Sequence, residues 1–172
     1  MIKYKIIKNK NIKYNQIINI SKLKDTFWRY GIKSQKKFLK SNFKSNDLHI
    51  LAYKNNNIIG YVSLRMSSFT KNNNYKNYKY FLFDGFIVNK LFRNLNIGKN
   101  IIKICRKKSK FFKMPILLLC KKSVLQYYTK LNFKVISKKN YLLINYQYAG
   151  YLLRYNLNYK NTDLLKIKFE KY

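Results

Sequence analysis

Apolar residues along this chain alternate with polar ones, recur every three or four positions, or gather in short runs, and each rhythm predicts a different element. Residues 2–8 are apolar-rich and short, the pattern of a strand. From about 14 to 23, and again from about 34 to 43, apolar residues return at helical spacing (Ile17, Ile18, Leu23; Phe38, Leu39), which predicts two short helices with Gly31 as the break. Residues 48–54 and 58–67 alternate and are joined by Asn55, Asn56 and Asn57, residues suited to the positive backbone angles of a hairpin turn. The asparagine-rich stretch 68–79 reads as a solvent loop, and 80–88 as a buried strand.

After Val88 a basic loop (Asn89, Lys90, Leu91, Phe92, Arg93, Asn94, Leu95, Asn96) leads into apolar positions Ile101, Ile102, Cys105 and Phe112 at helical spacing. Asn96 is placed to act as the N-cap of that helix, its side chain accepting a backbone donor of the first turn. Pro115 ends the pattern, and 116–120 forms a short buried strand. A further helix is predicted from Ser123, where Ser123 and Gln126 have capping-box spacing and Val124, Leu125, Tyr128 and Leu131 share a face. Strands follow at 133–136 and 141–148, and alternation of Tyr151, Leu153, Tyr155, Leu157 and Tyr159 predicts one more; the last dozen residues have no decisive period. No internal repeat is evident. This order predicts an α/β (α+β) fold, a mixed sheet with helices on both faces.

The length of 172 residues fits one domain, and 47% hydrophobic with 17% aromatic residues is enough for a core. No stretch approaches the ~20 apolar residues of a membrane span, and residues 1–11 alternate Lys with Ile rather than forming a signal-peptide block. An intracellular, cytoplasmic protein without a transmembrane segment is expected. Cys105 and Cys120 lie in apolar surroundings and His49 is the only histidine, so no metal site is expected and buried thiols are the simple reading.

Lys and Arg number 38 against 5 Asp and Glu, a formal net charge of +33. An A/T-rich coding sequence accounts for part of the Lys, Asn, Ile and Tyr excess, but not for a single glutamate, Glu170, because glutamate codons can also be A/T-rich. Such a field favours polyanions: RNA, an anionic membrane surface or a phosphorylated cosubstrate.

The loop from Arg93 to Gly98 is the most specific feature. Backbone N–H groups at a helix start, with the helix dipole, form a ready phosphate site, which Lys90, Arg93 and Lys99 would reinforce. Here the chain resembles the GNAT superfamily of N-acetyltransferases, whose acetyl-CoA site reads Arg or Gln, two residues, Gly, one residue, Gly or Ala, directly after a strand. The pattern here is Arg93, Asn94, Leu95, Asn96, Ile97, Gly98, with Asn96 for the first glycine. Asparagine is the non-glycine residue that best tolerates a left-handed backbone. A second match is Tyr127, Tyr128, Thr129, Lys130, Leu131, Asn132, Phe133, where Asn132 replaces a glycine at a helix end; the repeated substitution looks like drift under A/T bias. A third is the hairpin 48–64 with Ile58, Ile59, Gly60 and Tyr61, similar to the family's second and third strands. The matches span about 47–137.

The resemblance implies a mostly antiparallel central sheet of the GNAT-like acyl-CoA acyltransferase fold over 1–148, with 149–172 a C-terminal extension packing on or extending the sheet. It implies transfer of acetyl from acetyl-CoA, without metal, to an amine of a small molecule or protein terminus by direct attack in a ternary complex. Backbone around Arg93, Asn94, Leu95, Asn96, Ile97, Gly98 and Lys99 would cradle the pyrophosphate, and Phe86, Ile87 and Val88 would pair with the pantetheine arm. Tyr128, a phenol protonated at neutral pH, would protonate the departing thiolate. Asp84 and His49 are the candidate bases.

Plainer readings stand beside these. Tyr128 shares a helix face with Leu125 and Leu131 and could be core; Asp84 and His49 could be hydrogen-bonded within the sheet; Phe27, Trp28 and Tyr30 could line an acceptor pocket or fill a core. The alternative function is a catalytically inactive GNAT-fold protein bound to RNA, such as a component of an organellar ribosome in the organelle matrix. Lysines interleaved with Tyr and Phe at 76–80 and 107–112 suit phosphate contacts with base stacking.

Overall fold

The computed structural model describes residues 1–72, 76–160 and 162–168. Its architecture is mixed α/β, with mostly antiparallel strands and, among the described residues, four α-helices. The chain divides into two compact units, Met1–Arg65 with Phe83–Cys105, and Met66–Leu82 with the described residues between Arg106 and Lys168.

In the first unit, β1 (Lys3–Lys8) pairs antiparallel with β2 (Leu48–Lys54), and β2 with β3 (Asn57–Lys71). The β2–β3 turn consists of Asn55 (φ 47) and Asn56 (φ 62). Two consecutive left-handed residues make the turn whose twist matches a hairpin. Beyond β3 comes β4 (Tyr78–Val88). Helices α1 (Tyr14–Asp25) and α2 (Ile32–Ser41) bury Ile17, Ile20, Leu23 and Leu39 against Leu51, Ile58, Tyr61 and Ile87. Each such side chain contributes about 1.5–3 kcal/mol when fully buried. Gly31 caps α2 with φ 81, and its N–H donates to Asp25 Oδ1 at 2.7 Å.

Helix α3 (Ile97–Phe111) follows the basic loop. A Cβ at Gly60 would stand 3.0 Å from side-chain carbons of both Ile97 and Ile101. The absence of a side chain at residue 60 therefore lets the first turns of α3 lie close on β3.

In the second unit, β5 (Ile116–Cys120) runs parallel to the start of β4 and antiparallel to β8 (Tyr151–Tyr155), which also pairs with β6 (Lys134–Ile136). Strand β7 (Tyr141–Ile144) is parallel to β9 (Leu165–Lys168), and β9 is antiparallel to the end of β3. Phe69, Tyr80, Leu82, Leu117, Ile136, Leu152, Leu165 and Ile167 form the core of this unit. Cys105 and Cys120 are both buried free thiols, one in each unit, and burial pushes Cys120 up to about 11.

Several expectations need correction. Residues 68–71 are strand rather than loop, with Phe69 buried and paired with Ile167, a partner far away in sequence that no local pattern announces; 73–75 lie outside the described residues. Strand β7 ends at Ile144 because Asn145 turns the chain with φ 60. Helix α4 (Lys122–Thr129) begins before Ser123, with Lys121 as its N-cap, so the predicted Ser123–Gln126 box does not start it. Val124, expected on its apolar face, is 43% exposed.

Candidate functional site

The end of β4, the basic loop and the start of α3 form a strand–turn–helix unit. Phe86 and Val88 are half-buried and Ile87 is buried. Asn89 N–H donates to the Ile59 carbonyl at 2.8 Å, and the Asn89 side chain accepts from Leu91 N–H at 3.0 Å. Lys90–Phe92 make one tight helical turn, and Arg93 Nε donates to the Val88 carbonyl at 3.4 Å, folding the guanidinium base back on the strand end. Asn94, Leu95, Asn96 and Lys99 are exposed, while Ile97 and Gly98 are buried.

Asn96 has φ 55 and its carbonyl accepts from Asn100 N–H at 3.0 Å. It precedes the helix as expected, but with a left-handed backbone instead of the extended one usual at an N-cap. That is the conformation a glycine supplies without steric cost. The first-turn amides of α3, Ile97, Gly98 and Lys99, have no acceptor within the helix by position, and a helix start of this kind suits a phosphate oxygen.

Below β4 lies a buried polar group in the first unit. Asp84, 9% exposed, has Oδ2 at 3.5 Å from Arg65 Nη1, and its carbonyl accepts from Ser63 Oγ at 3.0 Å. Arg65, 2% exposed, donates to the Asn42 carbonyl at 2.9 Å and lies over the Phe38 and Phe43 rings. His49 is fully buried, stacked on Phe43 with centroids 4.8 Å apart. Its Nε2 is 3.1 Å from Asn9 Oδ1, which only accepts, so Nε2 carries the proton and Nδ1 accepts from the Tyr61 hydroxyl at 3.0 Å. Burial, then the Lys24 charge, lowers the His49 pKa to about 4, and burial, then Asp84, pushes the Tyr61 phenol up. At neutral pH His49 is uncharged with both ring nitrogens engaged.

The next residue, Gly85, has φ 65, a left-handed break inside a strand. A Cβ there would lie 3.4 Å from Tyr61 Cε1 and 3.7 Å from Lys24 Nζ. The sequence reading missed Gly85, Arg65 and Lys24. A signal existed for Lys24, which follows Ile17 and Ile20 at seven and four positions and so shares the apolar face of α1. Trp28 is half-buried and Phe27 and Tyr30 are exposed, with the Trp28 ring 5.8 Å from Lys24 Nζ.

Tyr128 belongs to the second unit, on α4, and is 8% exposed. Its ring meets Tyr127 and Phe133 edge-on, at 5.4 and 5.9 Å. Its carbonyl accepts from Phe133 N–H at 3.2 Å while Asn132 N–H donates to Thr129 at 3.0 Å, a Schellman ending in which Asn132 takes φ 63. Also in this unit, Lys121, Lys122, Lys138, Tyr148 and Tyr151 line a cavity of about 390 Å³.

Comparison with known proteins agrees with this geometry. The model of the acetyltransferase (GNAT) family matches residues 16–133, and the chain belongs to that family. No curated protein matches it in sequence. Among solved structures it is similar to Escherichia coli ElaA (12% identity, TM-score 0.65, covering 90% of this chain and 98% of that one). It is also similar to a GNAT-family acetyltransferase of Staphylococcus aureus Mu50 (18%, TM-score 0.64, 88% and 98%). A third is a predicted acetyltransferase of Clostridium acetobutylicum with acetyl-CoA (17%, TM-score 0.61, 84% and 96%). At these identities the likeness is one of fold. No helix among the described residues is long and apolar enough to cross a membrane.

Two outcomes follow from the site. Asn96→Gly should keep the thermal midpoint within a degree or two, whereas Asn96→Val should lower stability by about 1–2 kcal/mol, because a β-branched residue resists the left-handed region; melts followed by circular dichroism decide this. For His49, the unfolded chain binds a proton near 6.5 and the folded one only near 4. Its contribution is therefore complete above pH 6.5 and falls away as pH drops through about 4, by about 3 kcal/mol in all. Melting from pH 7 to pH 4 should show a shallower decline in His49→Gln than in the wild type.

Proposed function

We propose that this protein transfers the acetyl group of acetyl-CoA to a primary amine of a small molecule or protein terminus by direct attack in a ternary complex. The observation that carries the reading is the left-handed Asn96 at the start of α3. It gives the turn the backbone that a glycine has in the family pattern, so the departure at this position leaves the pyrophosphate cradle of Arg93–Gly98 amides buildable. The residues present thus fit acetyl-CoA, which as cosubstrate supplies the activated acetyl carbon.

In this reading the end of β4, Phe86 to Val88, aligns the pantetheine arm by backbone pairing. The amine lone pair attacks the thioester carbonyl, the C–S bond breaks, and the thiolate leaves with a proton from Tyr128. The nitrogen's proton goes to Asp84, the carboxylate two residues before Phe86 on the same strand. His49, with both nitrogens occupied, holds Tyr61 and is the weaker candidate for a base.

Release of free thiol from acetyl-CoA in the presence of an amine panel tests the reading, with CoA binding by calorimetry beside it. Tyr128→Phe should lower kcat by about 10²- to 10⁴-fold, the usual range for loss of a positioned acid, with CoA affinity kept. Unchanged turnover in that variant removes Tyr128 from the chemistry, and no CoA binding at millimolar concentration removes the acetyltransferase reading. The RNA-bound alternative has on its side the +33 charge and the cavity lined by three lysines and two tyrosines. Copurifying RNA and affinity that falls steeply with salt would favour it.

A further inference from the structure

The least explained charge in the first unit is Lys24. Its side chain is 7% exposed, its ammonium 4.5 Å from the centroid of Phe38 and 5.8 Å from that of Trp28, beside Gly85 at the end of β4. Among the described residues no oxygen accepts a hydrogen bond from it and no carboxylate lies at ion-pair distance. Asp84, whose field reaches it, is held by Arg65. A largely buried ammonium with no protein acceptor is costly, and the aromatic faces offset only part of that cost. Burial accordingly lowers its pKa, against the opposing pull of Asp84. With no protein oxygen on its donors, the ammonium is free to take an incoming oxygen anion in place of solvent. Gly85 and Phe86 are half-buried, so the strand end beside it is not sealed from solvent.

We infer that Lys24 receives the carboxylate of the acceptor, so that the acceptor is an amino carboxylate and not a polyamine or other polycation. The inference rests on the acetyltransferase reading and narrows its substrate. A second, independent observation agrees: a chain of net charge +33 repels polycations and concentrates anions at its surface. Lys24 with Arg65 behind it would disfavour a bare ammonium, while a carboxylate on the same molecule cancels that repulsion and leaves the amine free to approach the thioester.

The test measures thiol release from acetyl-CoA with the twenty common α-amino acids, their carboxamides, and spermidine. At least one amino acid should exceed its carboxamide about tenfold to a hundredfold in kcat/KM, the difference lying in KM, as expected for one charge-assisted hydrogen bond. In Lys24→Met the preference should vanish while the thermal midpoint holds or rises, because an unpartnered buried charge has been replaced by an apolar chain of similar length. A site in which Lys24 is merely structural would keep the preference. Equal or better use of the carboxamides or spermidine, no turnover of any amino acid while CoA binds, or a preference that survives Lys24→Met overturns the inference. The wild-type comparison stands even if the variant fails to fold. Loss of CoA binding itself would instead overturn the acetyltransferase reading beneath it.

Discussion

A demand for left-handed backbone in a chain with 5 glycines governs this structure. Tight hairpins, Schellman helix ends and a strand-to-helix turn all require positive φ, which costs an ordinary L-residue about 1–2 kcal/mol. Asparagine meets the demand at Asn55, Asn56, Asn72, Asn96, Asn132, Asn145 and Asn156, with Lys113 as the other described non-glycine case. The two replaced glycines of the family pattern, at 96 and 132, are therefore conservative where it matters, in the backbone. Glycine itself is kept at Gly60, where a Cβ would crowd the Ile97 and Ile101 side chains at 3.0 Å, and at Gly85, inside β4.

Strands and helices set by local periodicity were legible in the sequence. The rhythm of Ile17, Leu23 and Phe38, the Asn55–Asn57 turn and the Pro115 break all correspond to observed boundaries within a few residues. What escaped depends on partners distant in the chain. Phe69 lies on β3, which pairs with β4 and, at Phe69 itself, with Ile167 of β9, and Ser123 is not a cap because the chain enters α4 earlier, at Lys121. In the candidate site the loop was readable because its spacing is local. Asp84 stood out as a carboxylate in an apolar run, but its neighbours Lys24 and Arg65 did not, since a lysine on an apolar helix face and an arginine in an alternating strand look like solvated charges until tertiary packing closes over them.

The charge of the chain now separates into parts of different meaning. Arg65 and Asp84 neutralise each other inside the first unit, and breaking such a pair costs more than the pair contributes. Lys24 has no carboxylate at ion-pair distance among the described residues and lies instead over the Phe38 and Trp28 rings. Most of the remaining lysines are exposed, where they act as a field rather than as contacts. A scarcity of carboxylates confines acid–base chemistry to few groups, and of those considered, His49 is committed to Tyr61 and Asn9.

The most direct measurement is a ¹⁵N–¹H titration of the protein with CoA, read at the backbone amides. Binding through the cradle predicts the largest shifts at Arg93 to Gly98, with the amides of Ile97 and Gly98 moving downfield as they donate to phosphate oxygens. Shifts confined to the lysine-lined surface, with those amides unmoved, would contradict the account.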